Sequence, residues 1–242
     1  RRADAPYAAR LLRALTARLA PRQVVFSGYG LREGVQFEQM PGVLRALDPL
    51  LEHCRRVGLG GARQPFDGDR LAGWAAGAFD TPPASQRLLR AAAWLSDLSG
   101  YDHPDYRGQH AAARAMHLAS AAIDHRERVF LAATVYARYH GYGMESALGD
   151  AVELIDQTTR DRAVALGMAF RLAHAIEPGG DIRPETGLRS RFSLERAADR
   201  LYLVANAVDP DVLGETALKR FAALARALGV EGEVVRRQSA AA

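Results

Sequence analysis

The chain has 242 residues, 48% of them hydrophobic and 25% charged, which is the composition of a folded globular protein and excludes a disordered one. No apolar run approaches the roughly 18 residues that a membrane span needs, and no apolar signal segment follows the first charged residues. The formal net charge of +4 is too small to predict nucleic-acid binding. We therefore expect a cytoplasmic protein with neither a membrane nor a nucleic acid as its partner.

Two residue counts refine this expectation. All but one of the positively charged residues are arginines, since Lys219 is the single lysine, and planar guanidinium groups suit phosphate oxygens. The single cysteine, Cys54, excludes an internal disulfide and a cysteine-based zinc cage. Because Cys54 stands among leucines at helical spacing, it is predicted to be a small core residue.

The first forty residues predict a helix followed by a short strand. Residues 5–19 carry Leu11, Leu12, Leu15 and Leu19 at helical spacing, and Val24-Val25-Phe26 then forms a short apolar run before the glycine-containing turn 27–30. One such unit cannot stand alone, because its strand needs neighbours. We therefore expect a further α/β portion of the protein before Arg1.

From about residue 41 to Pro178-Gly179-Gly180 the pattern is helical. The first of these helices carries leucines from Leu44 to Leu51 and ends near the glycine cluster Gly58-Leu59-Gly60-Gly61. This cluster follows a helix and lacks the strand-loop-helix setting of a phosphate-binding loop. Further helices are predicted over 67–79, 83–98, 104–123, 126–140, 147–156 and 158–176.

The last sixty residues change period. Residues 191–195 and 201–205 read as strands, 211–228 as a helix that Gly229 caps, and 230–235 as a third strand. The prediction is a small β-β-α-β module against the helical block.

Two stretches resemble a known family. Gly30-Leu31-Arg32-Glu33-Gly34, with the preceding Val24–Tyr29, is similar to the signature that closes the second actin-like subdomain of the exopolyphosphatase / guanosine pentaphosphate phosphohydrolase family. The run 92–100 with His103-Pro104-Asp105-Tyr106-Arg107-Gly108 resembles the family segment that replaces the histidine-aspartate pair of HD domains. Arg138-Tyr139-His140-Gly141 is similar to a further segment of that family.

The resemblance implies a mainly α fold. An HD-like helical domain (41–180) would follow the last helix-strand unit of an actin-like (ASKHA) α/β phosphatase domain (1–40) and precede a small α+β C-terminal module (181–242). It implies that the intact protein is a dimeric, Mg²⁺-dependent enzyme that cleaves terminal phosphoanhydrides of inorganic polyphosphate or pppGpp. The family's phosphate loops and catalytic glutamate have no counterpart here, so the catalytic residues and the Mg²⁺ are expected upstream of Arg1, and this segment alone is expected to be inactive.

Five residues are candidate phosphate ligands. Arg32 stands between two glycines where a phosphate could approach the backbone, although it could equally pair with neighbours and fix a hinge between domains. Arg107, His110, Arg114 and His117 are spaced three, four and three residues apart on one helix face. Such a stripe suits a polyanion with repeated phosphates, but it could also be a solvated face or a surface that pairs with carboxylates.

The HD position is occupied by Ser96 and Asp97 instead of a histidine-aspartate pair. A serine hydroxyl is a poor substitute for an imidazole ligand, so this position is predicted to be degenerate and to hold no metal. Two functions remain open beside substrate guidance. The segment could be a catalytically silent interaction and dimerisation module, or, less favoured by the missing ligands, a metal-dependent phosphohydrolase in its own right.

Overall fold

The structure is a computed structural model that describes residues 4–24, 28–80, 82–120, 122–177, 191–206 and 208–237. The chain divides into two compact units, residues 1–45 and 46–242. Its architecture is mainly helical with a small sheet near the C-terminus, as the sequence predicts. Among the described residues, no helix is both long enough and apolar enough to cross a membrane.

The unit 1–45 contains the helices α1 (Ala5–Leu19), α2 (Leu31–Glu38) and α3 (Gly42–Arg45). The bounds of α1 agree with the prediction, and its spaced leucines are exposed within this unit. Gly30 is the residue before α2, and its N–H donates to Glu33 Oε2 at 2.7 Å. Gly34 lies inside α2. The predicted strand at 24–26 falls largely on residues 25 and 26, which lie outside the described residues.

The unit 46–242 begins with a block of helices. Its members are α4 (Pro49–Gly61), α5 (Gly68–Ala76), α6 (Pro83–Trp94), α7 (Arg107–Met116), α8 (His125–His140), α9 (Glu145–Leu148), the 3₁₀ helix Gly149–Leu154 and α10 (Gln157–Ile176).

Several predicted helices differ from the observed ones. The helix expected over 83–98 ends at Trp94, and the helix expected over 147–156 is divided between α9 and the 3₁₀ helix. For two other helices the structure shows the cause of the difference. The helix expected from Leu44 onward is interrupted, because the Asp48 side chain accepts hydrogen bonds from the N–H groups of Leu50 and Leu51 and Pro49 is the first residue of α4. The helix expected over 104–123 is limited to α7. Arg128 explains where it ends, since its guanidinium donates to the carbonyl oxygens of Met116 and Leu118.

Glycines let the helices of the core pack closely. The glycine cluster 58–61 is helical, and a Cβ atom at Gly58 or Gly61 would overlap the carbonyl oxygens of Trp94 and Leu98 respectively. The central pair α8 and α10 uses Gly167 in the same way, against the carbonyl oxygen of Thr134. Cys54 is buried among these helices as predicted, and burial raises the pKa of its thiol to about 12.

The C-terminal module contains β1 (Phe192–Ala197), β2 (Arg200–Asn206), α11 (Glu215–Ala227) and β3 (Glu231–Arg237). This is the predicted β-β-α-β order. The strands lie side by side as β1-β2-β3, with β1 antiparallel and β3 parallel to β2. The module packs on the helices, because Trp74 of α5 donates its Nε1–H to the Phe192 carbonyl oxygen at 2.7 Å and α11 packs along α10.

Candidate functional site

The stripe predicted on α7 is organised around an acidic residue that the sequence analysis did not single out. We call Arg107, His110, Arg114 and His117 the α7 face. His110 Nδ1 lies 3.2 Å from Asp102 Oδ2, and Arg114 Nη2 donates to Asp102 Oδ1 at 3.3 Å. Arg107 Nε donates to the main-chain oxygen of the same residue at 2.6 Å. The structure therefore brings three of the four predicted side chains together.

Two further hydrogen-bonding contacts of the α7 face involve main-chain oxygens. Arg114 Nη1 donates to the Leu98 carbonyl oxygen at 2.8 Å, which ties α7 to the turn after α6. His117 is the residue that follows α7, and its Nδ1 lies 2.7 Å from the Ala113 carbonyl oxygen of its own helix. His117 is therefore engaged locally and does not join the group around Asp102.

Asp102 removes only part of the positive charge of this face. Its partial burial alone would raise the pKa of the carboxyl, but the Ser99 hydroxyl and the positive charge of Arg114 outweigh this, so the pKa lies below its ordinary value. One ionised carboxylate thus faces two arginines. Arg114 and His110 keep 48% and 54% of their side-chain surface exposed, so both can still reach a ligand.

Arg32 lies in the other unit, in the first turn of α2. Its neighbour Glu33 accepts the Gly30 N–H, and this hydrogen bond lowers the pKa of the Glu33 carboxyl. The Arg32 side chain is exposed, and among the described residues it has no hydrogen bond or ion pair. Arg32 therefore belongs to the unit 1–45, whereas the other four predicted ligands belong to the unit 46–242.

Ser96 and Asp97 are buried in the turn that follows α6. Ser96 Oγ lies 3.0 Å from His174 Nε2 of α10, within hydrogen-bond distance. Asp97 Oδ2 accepts the main-chain N–H of Arg63 at 3.1 Å. Both side chains of the predicted HD position therefore connect helices to one another.

The other carboxylate oxygen of Asp97 faces α8. Arg138 Nη2 donates to Asp97 Oδ1 at 3.2 Å, and the Tyr139 hydroxyl donates to the same oxygen at 3.3 Å. Burial raises the pKa of Tyr139 to about 12, so this hydroxyl keeps its proton as a donor. Asp97 is the counter-ion of a buried arginine.

A model of the exopolyphosphatase C-terminal domain matches residues 62–235 of the 242-residue chain. The chain belongs to the exopolyphosphatase C-terminal domain family. The match begins directly after α4 and continues into β3, so it includes the helical block from α5 onward and most of the C-terminal sheet. No match was found among curated proteins.

In this exopolyphosphatase C-terminal domain, the Ser96-Asp97 position does not fit a divalent cation. Both oxygens of Asp97 already accept hydrogen bonds, and the nearest charge is the guanidinium of Arg138, which would repel a metal ion. Within the described residues, no group of three or more histidine, cysteine, aspartate or glutamate side chains could hold a metal ion.

The structure adds arginines that the sequence analysis left aside. Arg138 belongs to a segment that is similar to the family, but nothing in the sequence connects it with Arg63, Arg171 or Arg220. The sequence carries one local signal for Arg138, since residues 129–137 are apolar apart from Thr134 and an arginine at the end of such a run needs a partner if it is buried. The other three are far apart in the sequence, and only the fold brings them near Arg138.

A cavity of about 250 Å³ offers a second place for a ligand. Its walls are mostly apolar, and its charged members are Arg126, Glu127, Asp156 and Arg162. Two arginines with two carboxylates leave no excess of charge, so this cavity has no electrostatic preference for a phosphate. None of the predicted ligands is among the described residues that line it.

Proposed function

We propose that this chain is the C-terminal region of a phosphohydrolase that removes terminal phosphates from inorganic polyphosphate or pppGpp. Membership of the exopolyphosphatase C-terminal domain family supports the reaction class. In this proposal residues 1–40 end an actin-like α/β domain, and the helical domain 41–180 and the module 181–242 follow it. The catalytic groups and the Mg²⁺ belong to the preceding lobe, so the described segment has no catalytic step of its own.

The proposed contribution of this segment is to guide the substrate along the α7 face. The observation that carries the proposal is that Arg114 and His110 remain about half exposed although both contact Asp102. Side-chain donors that Asp102 holds in place and that remain exposed to solvent can bind phosphate oxygens with charge-assisted hydrogen bonds. A chain of phosphates favours such a face over a single anion, because repeated charges are attracted by several donors at once.

Reversing the charge of Arg107 and Arg114 to glutamate should weaken polyphosphate binding about 100-fold at low salt, since two charge-assisted contacts are lost. The slope of log affinity against log salt concentration should also fall by about 2, because two fewer counter-ions are released. Fluorescence titration of labelled polyphosphate, and of pppGpp in a parallel series, measures both quantities.

The matched control is the double change Arg55→Glu and Arg56→Glu. It alters the net charge equally on the exposed side of α4, outside the α7 face. We expect its affinity to stay within about threefold of the original protein. Equal losses in both double variants would mean that only overall charge matters, and the α7 face would then not be the binding surface. Arg107→Gln with Arg114→Gln serves as a milder pair if charge reversal disturbs folding.

A second function is favoured by the internal engagement of Ser96, Asp97 and Asp102. A degenerate HD domain whose Ser96, Asp97 and Asp102 side chains are engaged within the fold would be a catalytically silent interaction module, and in the intact protein a homodimer contact. Sedimentation together with the titration separates the two functions. If both arginine variants bind polyphosphate like the original protein while a dimer persists, the interaction module is the better account.

A further inference from the structure

Four arginines of the unit 46–242 lie at or near the buried carboxylate of Asp97. Two of them are beside the carboxylate, and the other two lie further from it. We call Arg63, Arg138, Arg171 and Arg220 the arginine cluster. Arg63 follows α4, Arg138 lies in the last turn of α8, Arg171 lies in α10, and Arg220 lies in α11.

Direct contacts define the positions of these arginines. Arg138 Nη2 donates to Asp97 Oδ1 at 3.2 Å, and Arg63 Nε lies 3.9 Å from Asp97 Oδ2. Arg220 Nη1 donates to the main-chain oxygen of Arg171 at 3.1 Å, which joins α11 to α10.

The guanidinium of Arg171 reaches the end of α8. A Cβ atom placed on Gly141 would lie 3.4 Å from Arg171 Nη1, so this charge lies beside the turn that begins three residues after Arg138. Gly141 has a positive φ of 85°, which a larger residue would adopt only with strain. A side chain at Gly141 would therefore be in van der Waals contact with the Arg171 guanidinium and be strained as well.

The charges of the cluster are not balanced within the described residues. The four arginines carry four positive charges, and the one carboxylate in contact with them is Asp97. Burial lowers the pKa of Arg138, and the positive charges of Arg63 and Arg171 lower it further although Asp97 opposes them. Burial likewise lowers the pKa of Arg220, and Arg171 and Arg138 add to this effect. The arginines thus repel one another, and an anion would relieve the repulsion.

Some N–H donors of the cluster have no acceptor among the described residues. Each guanidinium carries five N–H groups. Arg138 Nε is buried and has no partner, and among the described residues the Arg171 side chain has neither a hydrogen bond nor an ion pair. Arg171 and Arg220 are half-buried, so a small ion from solvent can reach their donors.

We propose that the arginine cluster binds a compact phosphate group, either as free orthophosphate or as the terminal phosphate of a chain. A tetrahedral dianion matches both the surplus of positive charge and the forked donors of several guanidinium groups. The site uses residues other than the α7 face, and it does not depend on that face binding polyphosphate. Arg171 and Arg220 donate to the phosphate, Arg138 and Arg63 add positive charge, and Asp97 holds Arg138 in place.

The test measures thermal unfolding of the 242-residue chain in orthophosphate and in potassium chloride of equal ionic strength. At a hundredfold excess over the Kd, orthophosphate should raise the Tm by about 5–10 °C more than chloride does. Calorimetric titration gives the Kd directly. Arg171→Gln should weaken orthophosphate binding at least about tenfold, because it removes a charged donor that has no partner among the described residues. Arg220→Gln should weaken it in the same direction.

Arg226→Gln is the matched control, since it removes an exposed arginine from the same helix as Arg220. Its Kd for orthophosphate should remain within about twofold of the original. Circular dichroism verifies that each variant is folded before titration. Binding that survives Arg171→Gln and Arg220→Gln, or that Arg226→Gln weakens equally, would overturn the proposal. Loss in Arg114→Glu but not in Arg171→Gln would assign the ion to the α7 face and would also overturn it.

Tripolyphosphate distinguishes the two sources of the phosphate group. A response to orthophosphate that Arg171→Gln removes assigns the cluster to the free ion. A response to tripolyphosphate alone, again removed by Arg171→Gln, assigns it to the end of a chain. If neither anion stabilises the protein beyond chloride, the arginine cluster has no phosphate ligand and the proposal is wrong.

Discussion

Replacing Asp97 with asparagine should lower the free energy of unfolding by about 3–5 kcal/mol, which is typical for removing one partner of a buried ion pair. The substitution preserves the shape of the side chain but leaves the buried guanidinium of Arg138 without its counter-ion. It also replaces a charged acceptor of the Tyr139 hydroxyl and the Arg63 N–H with an amide. Urea unfolding in phosphate-free buffer measures the change, because a bound phosphate could replace the lost charge.

Asp69→Asn is the matched control. Asp69 pairs with Arg90 at 2.7 Å, a shorter distance than in the Asp97–Arg138 pair, but both side chains are nearly half exposed. Water screens this pair, so its loss should cost at most about 1 kcal/mol. Equal costs for the two variants would mean that burial does not set the strength of the Asp97 pair, and the description of Asp97 as a buried counter-ion would be wrong.

The elements that could be predicted are those whose signal is local. The leucine spacing of residues 5–19 defines α1 to the residue, and the strand-like composition of 191–195 and 201–205 finds β1 and β2 within two residues of their ends. Such patterns arise within one element, so the residues of that element alone are enough to show them.

The features that could not be predicted depend on distant residues. α7 ends where it does because Arg128, twelve residues beyond Met116, supplies donors to its last carbonyl groups. Asp102 could not be linked to Arg114 by helical spacing, because it precedes the helix in a turn. The arginine cluster is assembled from positions between 63 and 220, and no local pattern connects them.

The glycines of α4 illustrate a signal that was visible but had two meanings. Four residues with three glycines usually mark the end of a helix, and α4 does end at Gly61. The structure shows a second reason for them, which is contact between backbones: Gly58 and Gly61 lie against the carbonyl oxygens of Trp94 and Leu98. A sequence shows that glycine is present, but the partner that requires it is known only once α6 is placed.

Gly58→Ala should therefore lower the free energy of unfolding by about 3 kcal/mol, near the upper end of the usual cost of overpacking. The added methyl group would overlap the carbonyl oxygen of Trp94, which is part of the α6 backbone and cannot rotate away as a side chain could. α4 and α6 would have to separate, and the buried contacts between them would be lost. Tryptophan fluorescence during urea unfolding is a suitable measurement, because Trp74 and Trp94 are the two tryptophans of the chain and both lie in the unit 46–242.

Gly60→Ala provides the control within the same helix. A Cβ atom at Gly60 meets nothing within 4 Å, and the residue is exposed. Alanine there should stabilise the protein by about 0.5 kcal/mol, because it restricts the unfolded chain and suits a helix better than glycine does. The two substitutions add the same methyl group two residues apart and are expected to have opposite signs. If both stabilise the protein, α4 and α6 do not approach through Gly58, and the close packing that places Asp97 beside Arg63 must have another cause.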